Sequence, residues 1–137
     1  MDTILVGYDD TEASQRALAR AIELAHAFGA GLLVTSVATM LEAAGRSAGP
    51  LDPTDMPERH RAELEEAKRQ AADAGVATQL VLAVGHAAEV IVDLARENNA
   101  DMIVVGTREL GFYQRLLGQS TSEAVAHHAR CDVMIVH

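Results

Sequence analysis

Short apolar segments alternate with helical segments along the chain, and this alternation constrains the fold more than any other feature. Five segments are short, unbroken and rich in β-branched residues, as in strands covered on both faces; they are residues 3–8, 32–37, 77–84, 101–106 and 132–137. Helix-start signals or apolar residues at helical spacing mark the segments between them; these run from position 10 or 11 to 28, and over 58–75, 85–99 and 120–129. This order predicts an α/β fold, with a doubly wound, five-stranded parallel sheet, helices on both faces and right-handed crossovers.

The helical segments also predict which side chains face the core. The first helix takes Asp10 or Thr11 as its N-cap and ends at the glycines of residues 29–31. Apolar residues at helical spacing form its predicted inner stripe, which comprises Ala13, Ala17, Leu18, Ala21, Leu24, Ala25 and Phe28. The corresponding residues of the next two helices are Leu64, Ala67, Ala71 and Ala74, then Ala87, Val90, Ile91, Leu94 and Ala95.

Size and charge narrow the class of protein. A chain of 137 residues predicts one domain, spanning residues 1–137. The formal net charge of −9 and the lack of a basic run disfavour binding to nucleic acid or to an anionic membrane surface. An anionic ligand remains compatible with this charge, because backbone N–H groups bind phosphate locally.

The single cysteine and the N-terminal sequence favour a cytoplasmic location. Cys131 has no second cysteine with which to form an internal disulfide, which is typical of a reducing compartment, and it is interpreted as a small, partly buried residue. No cleavable leader and no apolar run of transmembrane length is recognisable, so a soluble cytoplasmic protein is expected.

The ends of the first and fourth predicted strands carry the residues best suited to a ligand. In an open doubly wound sheet, ligands bind beyond the carboxyl ends of the strands, where the strand order reverses. Asp9 follows the first strand and can accept hydrogen bonds from a ribose or a base. Gly106 opens a loop that leads to a helix starting near Ser120, and backbone N–H groups of such a loop can surround phosphates. Each residue also has a structural interpretation: Asp9 as a helix cap, Gly106 as a turn, and Ser120 with Glu123 as a capping box.

Several well-known motifs are absent from the sequence. Residues 106–111 have the glycine spacing of a P-loop, but Phe112 and Tyr113 stand where lysine and serine or threonine are needed. The sequence also lacks a GxGxxG after the first strand, a GxSxG elbow, and the third-strand aspartate and final lysine of a receiver domain. The histidines lie in separate segments, or point apart on one helix as His127 and His128 do, so they are interpreted as solvated or cap-side residues and no metal site is predicted.

Three stretches resemble the universal stress protein family, and together they span the whole chain. They are "ILVGYDDTEASQRAL", "VGHAAEVIVDLA" and "VVGTRELGFYQRLLGQSTSEAV…HHARCDVMIVH". The resemblance implies an adenine nucleotide alpha hydrolase-like fold with strand order 3-2-1-4-5, and a homodimer formed through the fifth strand. It also implies two branches, of which one binds ATP or AMP and the other binds no nucleotide.

The nucleotide-binding branch carries a loop written G-x2-G-x9-G-[ST], which this sequence matches at its two ends. Gly106 fits the first glycine and Ser120 fits the final hydroxyl, whereas Glu109 and Gln119 stand at the second and third glycine positions. The resemblance implies further binding residues at the strand ends and in the loop, namely Gly7, Asp9, Val37, Val105, Arg108, Gly111, Gly118 and Thr121. A carboxylate about 5 Å from a phosphate charge costs roughly 1 to 3 kcal/mol, so this loop favours AMP or cyclic AMP over ATP.

These features predict a cytoplasmic stress-response sensor or signalling module that binds an adenine nucleotide and has no catalytic residues. Whether Mg²⁺ accompanies ATP is left open. The alternative function is that of a protein with the same fold that binds no nucleotide and acts through contacts with other proteins. A slow ATPase is the third candidate function. Neither a general base nor a nucleophile is recognisable beside the loop.

Overall fold

The computed structural model describes residues 1–9, 11–38, 57–107 and 121–137. Strands and helices alternate in the predicted order within these ranges. The elements are β1 (Thr3–Gly7), α1 (Glu12–Phe28), β2 (Gly31–Ala38), α2 (Pro57–Asp73), β3 (Thr78–Val84), α3 (Ala87–Glu97), β4 (Met102–Gly106), α4 (Thr121–His128) and β5 (Asp132–Val136). No helix in these ranges combines the length and the apolar character that a membrane crossing requires.

The five strands form one parallel sheet in the order β3-β2-β1-β4-β5, which confirms the predicted strand order. β1 lies at its centre, where Leu5 pairs with Leu33 of β2 on one side and with Ile103 of β4 on the other. The chain builds outward from β1 first through β2 and β3, and then through β4 and β5. The strand order therefore reverses between β1 and β4, and this is the switch point of the sheet.

Helices cover both faces of the sheet and create two apolar clusters. Side chains alternate along β1, so Ile4 and Val6 lie in one cluster and Leu5 lies in the other. The first cluster also contains residues of α1 and α2, and the second contains residues of α3 and α4. The apolar interiors of the central strands β1 and β4 follow from this double coverage.

Two sequence-based expectations about side chains are wrong. Phe28 belongs to the predicted inner stripe of α1, but it is 58% exposed, because it is the last residue of a helix whose buried stripe ends at Ala25. The sequence predicts that all the histidines are solvated or cap-side residues, but His60 of α2 is buried. His60 lies one turn before Leu64 on the inner face of α2, and helical spacing alone would have found it.

Candidate functional site

A cavity of about 80 Å³ lies at the carboxyl ends of the central strands, at the switch point of the sheet. Its lining includes every predicted binding residue that the structure describes, namely Gly7, Asp9, Val37, Val105, Gly106 and Thr121. Its remaining lining residues are Tyr8, Thr11, Ser14, Thr35, Ala87, Ile91 and Ser122. Complete ligand sites typically measure about 300 to 1,000 Å³, so the described residues form one part of such a site.

The predicted loop residues lie outside the part of the chain that the structure describes. They are Arg108, Glu109, Gly111, Gly118, Gln119 and Ser120. Their proposed contacts with phosphate therefore stay predictions.

The wall formed by β2 projects beyond the end of β1. Gly7, the last residue of β1, pairs with Thr35, and β2 continues for three more residues. Thr35 and Val37 point to the same face, where the Thr35 hydroxyl donates to the carbonyl oxygen of Val81 at 3.0 Å. The Thr35 hydroxyl therefore already has a hydrogen-bond partner. The Val37 side chain beside it presents an apolar surface to the cavity, and such a surface suits the flat face of a base.

Asp9 is bound tightly to the first turn of α1. The backbone N–H of Thr11 donates to Asp9 Oδ1 at 2.9 Å, and the Thr11 hydroxyl donates to the same oxygen. The Asp9 backbone N–H donates to Ser14 Oγ at 3.0 Å, and the Ser14 hydroxyl donates back to the Asp9 carbonyl oxygen. Asp9 is therefore held rigidly at the cavity wall, with its Oδ1 committed to the start of α1.

Thr11 is the N-cap of α1, which decides between the two residues predicted for this role. Its hydroxyl oxygen accepts from the backbone N–H of Ser14 at 3.2 Å. This bond is the usual stabilisation of an N-terminal turn, in which the first backbone N–H groups lack helical partners. Asp9 and Thr11 together fix the position of the first turn of α1 at the edge of the cavity.

Gly106 permits α1 to approach β4 at backbone distance. A Cβ atom at position 106 would lie 2.4 Å from the carbonyl oxygen of Ala13 and 2.9 Å from the backbone nitrogen of Ser14. Both distances are far below van der Waals contact, so only glycine fits without displacement of the helix. Gly106 thus has a structural requirement in addition to its predicted place in the phosphate loop.

The absence of a side chain at Gly7 leaves room for the side chains of neighbouring residues. A Cβ atom at position 7 would meet Ile91 Cδ1 of α3 at 3.0 Å and Val105 Cγ1 of β4 at 3.6 Å. The floor of the cavity is therefore apolar and tightly packed, with Ile91 buried at 4% exposure. A larger residue at position 7 would require the Ile91 side chain to move.

The amino ends of two helices border the cavity. Ala87 is the first residue of α3, and Thr121 and Ser122 begin α4. Helix amino ends carry partial positive charge, which favours an anionic group nearby. Glu123 lies in the same turn of α4 and offsets part of this positive potential.

A larger groove of about 790 Å³ runs between α3 and α4, away from the predicted residues. Its sides are lined by small apolar residues together with ionisable ones, the latter being His86, Glu89, Asp93, Arg96, His128, Arg130 and Cys131. The groove has no signal in the sequence, because alanines on two helices that are distant in the sequence carry no recognisable motif. Two of these ionisable residues are paired with each other, since Arg96 lies 3.3 Å from Asp93.

Cys131 lies at one end of this groove and is partly buried, as the sequence indicated. Burial raises the pKa of the Cys131 thiol above its ordinary value, and the nearby Asp132 carboxylate adds to the effect. The thiol is therefore protonated at neutral pH and is a poor nucleophile. Among the described residues, no group of three or more His, Cys, Asp or Glu side chains is arranged to hold a metal ion.

The fold and the cavity define the class of protein: it is a doubly wound α/β protein with a polar-rimmed cavity at the switch point of its sheet. Comparison with known families then identifies the family. The model of the universal stress protein family matches residues 1–137. The chain belongs to the universal stress protein family.

Individual relatives agree with this assignment along nearly the whole chain. A universal stress protein of Thermus aquaticus is 34% identical over 139 residues, covering 98% of this chain and 97% of the relative. One from Mycobacterium tuberculosis is 34% identical over 141 residues, covering 98% of this chain and 95% of the relative. A solved universal stress protein in complex with cAMP superposes with a TM-score of 0.78 at 31% identity, covering 99% of this chain and 97% of that structure.

Proposed function

We propose that this protein binds an adenine nucleotide at the switch-point cavity and acts as a cytoplasmic stress-response sensor or signalling module. Binding, not catalysis, is the proposed activity. AMP or cyclic AMP is the preferred ligand, and the working unit is a homodimer formed through β5. The same proposal assigns the phosphates to the loop that begins at Gly106.

One observation carries the proposal: residues chosen from the sequence, and distant in it, line a single cavity. Gly7 and Asp9 come from the end of β1, Val37 from β2, Val105 from β4 and Thr121 from α4. Their chemistry suits the parts of a nucleotide, with an apolar wall for the base, a carboxylate for hydroxyl groups, and helix amino ends for phosphate. A solved relative at 31% identity, which is bound to cAMP, supports the choice of an adenine nucleotide with a single phosphate.

The preference for one phosphate follows from Glu109. Each added phosphate brings more negative charge along the loop, where a carboxylate at position 109 raises the cost. A monophosphate meets only part of the loop and avoids most of this repulsion. The amino ends of α3 and α4 remain available to it, since Ala87 and Thr121 both line the cavity.

A second candidate is the same fold without a nucleotide, acting through contacts with other proteins. Two hydrogen bonds to Asp9 Oδ1 and the tight approach of α1 to Gly106 favour it. These interactions give both residues a structural role that needs no ligand. A slow ATPase is the third candidate function, and a measurement of ATP turnover would test it.

The test is direct measurement of bound and added nucleotides. Small molecules released from the denatured, purified protein are identified by mass spectrometry, and AMP, cyclic AMP and ATP are titrated calorimetrically into the nucleotide-free protein. Binding of AMP or cyclic AMP tighter than ATP supports the proposal. Absence of binding by all three contradicts it and favours the protein-contact candidate, whereas phosphate release above a protein-free blank supports the ATPase.

A matched pair of variants ties the binding to the cavity. Val37→Phe places a ring where the base is proposed to lie, and it should weaken nucleotide binding roughly tenfold or more through overpacking of about 1 to 3 kcal/mol. Val84→Phe makes the same change at a residue of β3 that is 47% exposed, and it should leave the affinity unchanged. Equal effects of both variants would show that binding occurs elsewhere.

A further inference from the structure

Three elements meet where the proposed phosphate loop begins, immediately beyond Gly106. α1 approaches from one side, so closely that a Cβ atom at Gly106 would overlap the backbone of Ala13. β5 lies on another side, where Val136 pairs with Gly106 in the parallel register. The first residue of the loop after this contact is Thr107.

Thr107 continues the pairing of β4 with β5 beyond the last residue of the strand. Its backbone N–H donates to the carbonyl oxygen of Val136 at 2.9 Å. Its hydroxyl group is hydrogen-bonded to Nδ1 of His137 at 3.3 Å. One bond is made by the main chain and the other by side chains, so the end of β5 fixes both the position and the orientation of Thr107.

Arg16 of α1 holds the same end of β5 from the other side. Its Nε donates to the main-chain oxygen of His137 at 3.1 Å. Arg16 lies one turn after Ala13, so the helix that packs on Gly106 also contacts the residue that bonds to Thr107. Arg16, Thr107 and His137 thus form one connected group, the loop junction.

The loop junction lies beyond the paired part of the sheet. β4 and β5 already pair over their full lengths, from Met102 with Asp132 to Gly106 with Val136. The side chains of Arg16 and His137 are exposed, and hydrogen bonds at exposed positions contribute little to the stability of a fold. Their consequence is local: they fix a residue of the loop before any ligand arrives, which reduces the conformational entropy lost on binding.

We propose that Arg16, Thr107 and His137 are positioning residues for the phosphate group of the ligand, because they hold the first residue of the loop in place. This inference rests on the proposed function, in which the phosphate lies against the loop that begins at Gly106. It adds residues from α1 and β5 that do not line the cavity. Loss of the loop junction should weaken the binding of a ligand that has a phosphate and spare the same ligand without one.

Thr107→Val tests the loop junction with AMP and adenosine, which differ only by the phosphate. The substitution keeps the size and the backbone N–H of the residue and removes its hydroxyl group. It should weaken AMP binding roughly threefold to tenfold, as loss of one ordinary hydrogen bond predicts, and leave adenosine binding unchanged. Thr107→Ser keeps the hydroxyl group and should bind AMP like the wild type. Calorimetric titration of both ligands measures the two affinities.

His137→Ala separates positioning from direct contact of Thr107 with the phosphate. It leaves Thr107 intact and should cause the same selective loss of AMP affinity, as should Arg16→Ala. The double variant Thr107→Val/His137→Ala should bind AMP no more weakly than the weaker single variant, since both substitutions remove one bond. His26→Ala and Arg20→Ala are the matched controls, because both replace exposed residues of α1 outside the loop junction.

Amide hydrogen exchange gives a second readout in the ligand-free protein. His137→Ala should accelerate exchange of the Thr107 amide roughly threefold or more, while Ile103 in the middle of β4 keeps its protection. An unchanged exchange rate at Thr107 overturns the proposal.

The titrations have outcomes that separate this inference from the proposed function. The inference is overturned if Thr107→Val weakens AMP and adenosine equally or changes neither, or if the effects of Thr107→Val and His137→Ala on AMP simply add. Equal affinities of the wild-type protein for AMP and adenosine also overturn it, but leave binding at the cavity intact. Binding of neither ligand contradicts the proposed function, and the inference fails with it.

Discussion

The backbone of Ala13 lies so close to Gly106 that a Cβ atom there would stand 2.4 Å from the Ala13 carbonyl oxygen. The first turn of α1 is therefore packed directly on the end of β4. Asp9 strengthens the same junction, since it accepts two hydrogen bonds from Thr11 immediately before this turn. The proposed ligand site is thus built on a contact that also determines where α1 lies.

Gly106→Ala should destabilise the protein whether or not a nucleotide binds. The added methyl group must displace α1, and overpacking of this kind costs about 1 to 3 kcal/mol. Gly31→Ala is the control, because a Cβ atom there would have its nearest contact at an ordinary 3.6 Å from the Ala77 carbonyl oxygen. Chemical denaturation of both variants gives their free energies of unfolding. An unchanged free energy for Gly106→Ala would show that α1 does not depend on this close approach.

Asp9 combines a structural and a proposed binding role, which two substitutions separate. Asp9→Ala removes the acceptor for Thr11, and it should lower the free energy of unfolding by about 1 kcal/mol, as loss of a helix-cap interaction does. Asp9→Asn keeps an amide oxygen for Thr11 and should retain most of this stability. If Asp9 also meets the nucleotide, Asp9→Ala should weaken binding by a further 1 to 3 kcal/mol or so. Thermal melts with and without AMP distinguish these effects, and equal melts for Asp9→Ala and wild type would show that the bonds from Thr11 to Asp9 do not stabilise the fold.

The sequence predicted the fold well because the fold depends on patterns with a short period. Unbroken apolar strands and their alternation with helices led to the parallel sheet, and the family resemblance supplied the strand order that the structure confirms. Ordinary capping preferences left Asp10 and Thr11 as candidates for the N-cap of α1, and the structure shows that it is Thr11. Phe28 shows the limit of such patterns, because helical spacing does not reveal where the core beneath a helix ends.

The site was less predictable, because its geometry arises from contacts between elements that are distant in the sequence. The tight approach of Ala13 to Gly106 has no signal in the sequence beyond the glycine itself. His60 and Glu63 looked like ordinary residues of a charged helix, although they are buried beside Ser36. Only the spacing of His60 from Leu64 and of Glu63 from Ala67, each one helical turn, could have indicated this. That the residues lining the cavity bind a nucleotide stays a prediction.

Asp101 should make stability depend on pH at the amino edge of the sheet. Its Oδ2 accepts from the backbone N–H groups of Thr3 at 3.0 Å and Asp2 at 2.7 Å, and these bonds lower the pKa of the Asp101 carboxyl below its ordinary value of 3.8. A lowered folded-state pKa means that this stabilisation is fully present above the unfolded pKa of about 4 and is lost as the pH falls through the folded value.

Asp101→Asn should therefore have a lower melting temperature than the wild type at pH 7, and the difference should shrink toward about pH 3 as the wild-type carboxyl group protonates. Asp93→Asn is the control, since it removes an exposed carboxylate of α3 whose partner Arg96 is also exposed. Thermal melts of all three proteins at several pH values measure the effect. A difference between Asp101→Asn and wild type that does not change with pH would contradict it.

Dimerisation through β5 can be tested at the backbone of the strand. The Val136 carbonyl oxygen accepts from Thr107 N–H at 2.9 Å, so alternation along the strand turns the N–H of Val133 away from β4. Val133→Pro removes this outward donor while keeping an apolar side chain of similar volume, and it should yield a monomer. Val133→Thr keeps the donor and should remain dimeric. Light scattering at high micromolar concentration decides, and a monomeric wild-type protein would defeat the prediction.

The resemblance to the nucleotide-binding branch leads to a final prediction about Glu109 and Gln119. If these residues weaken an otherwise sound phosphate loop, restoring glycine at both positions should strengthen ATP binding by about 1 to 3 kcal/mol, the sum of the repulsion and backbone effects. AMP should gain less, because its single phosphate meets only part of the loop.

The two substitutions should also differ in their dependence on salt. Glu109→Gly removes a charge, so its benefit should be greater at low salt, given a Debye length of about 10 Å at 0.1 M. Gln119→Gly acts on backbone freedom before Ser120, so its benefit should be nearly independent of salt. Calorimetric titration of ATP and AMP into the wild type, both single variants and the double variant at two salt concentrations measures each effect. If ATP affinity does not rise in the double variant, or if AMP gains as much as ATP, positions 109 and 119 do not limit phosphate binding and the segment after Gly106 serves as a connection between β4 and α4.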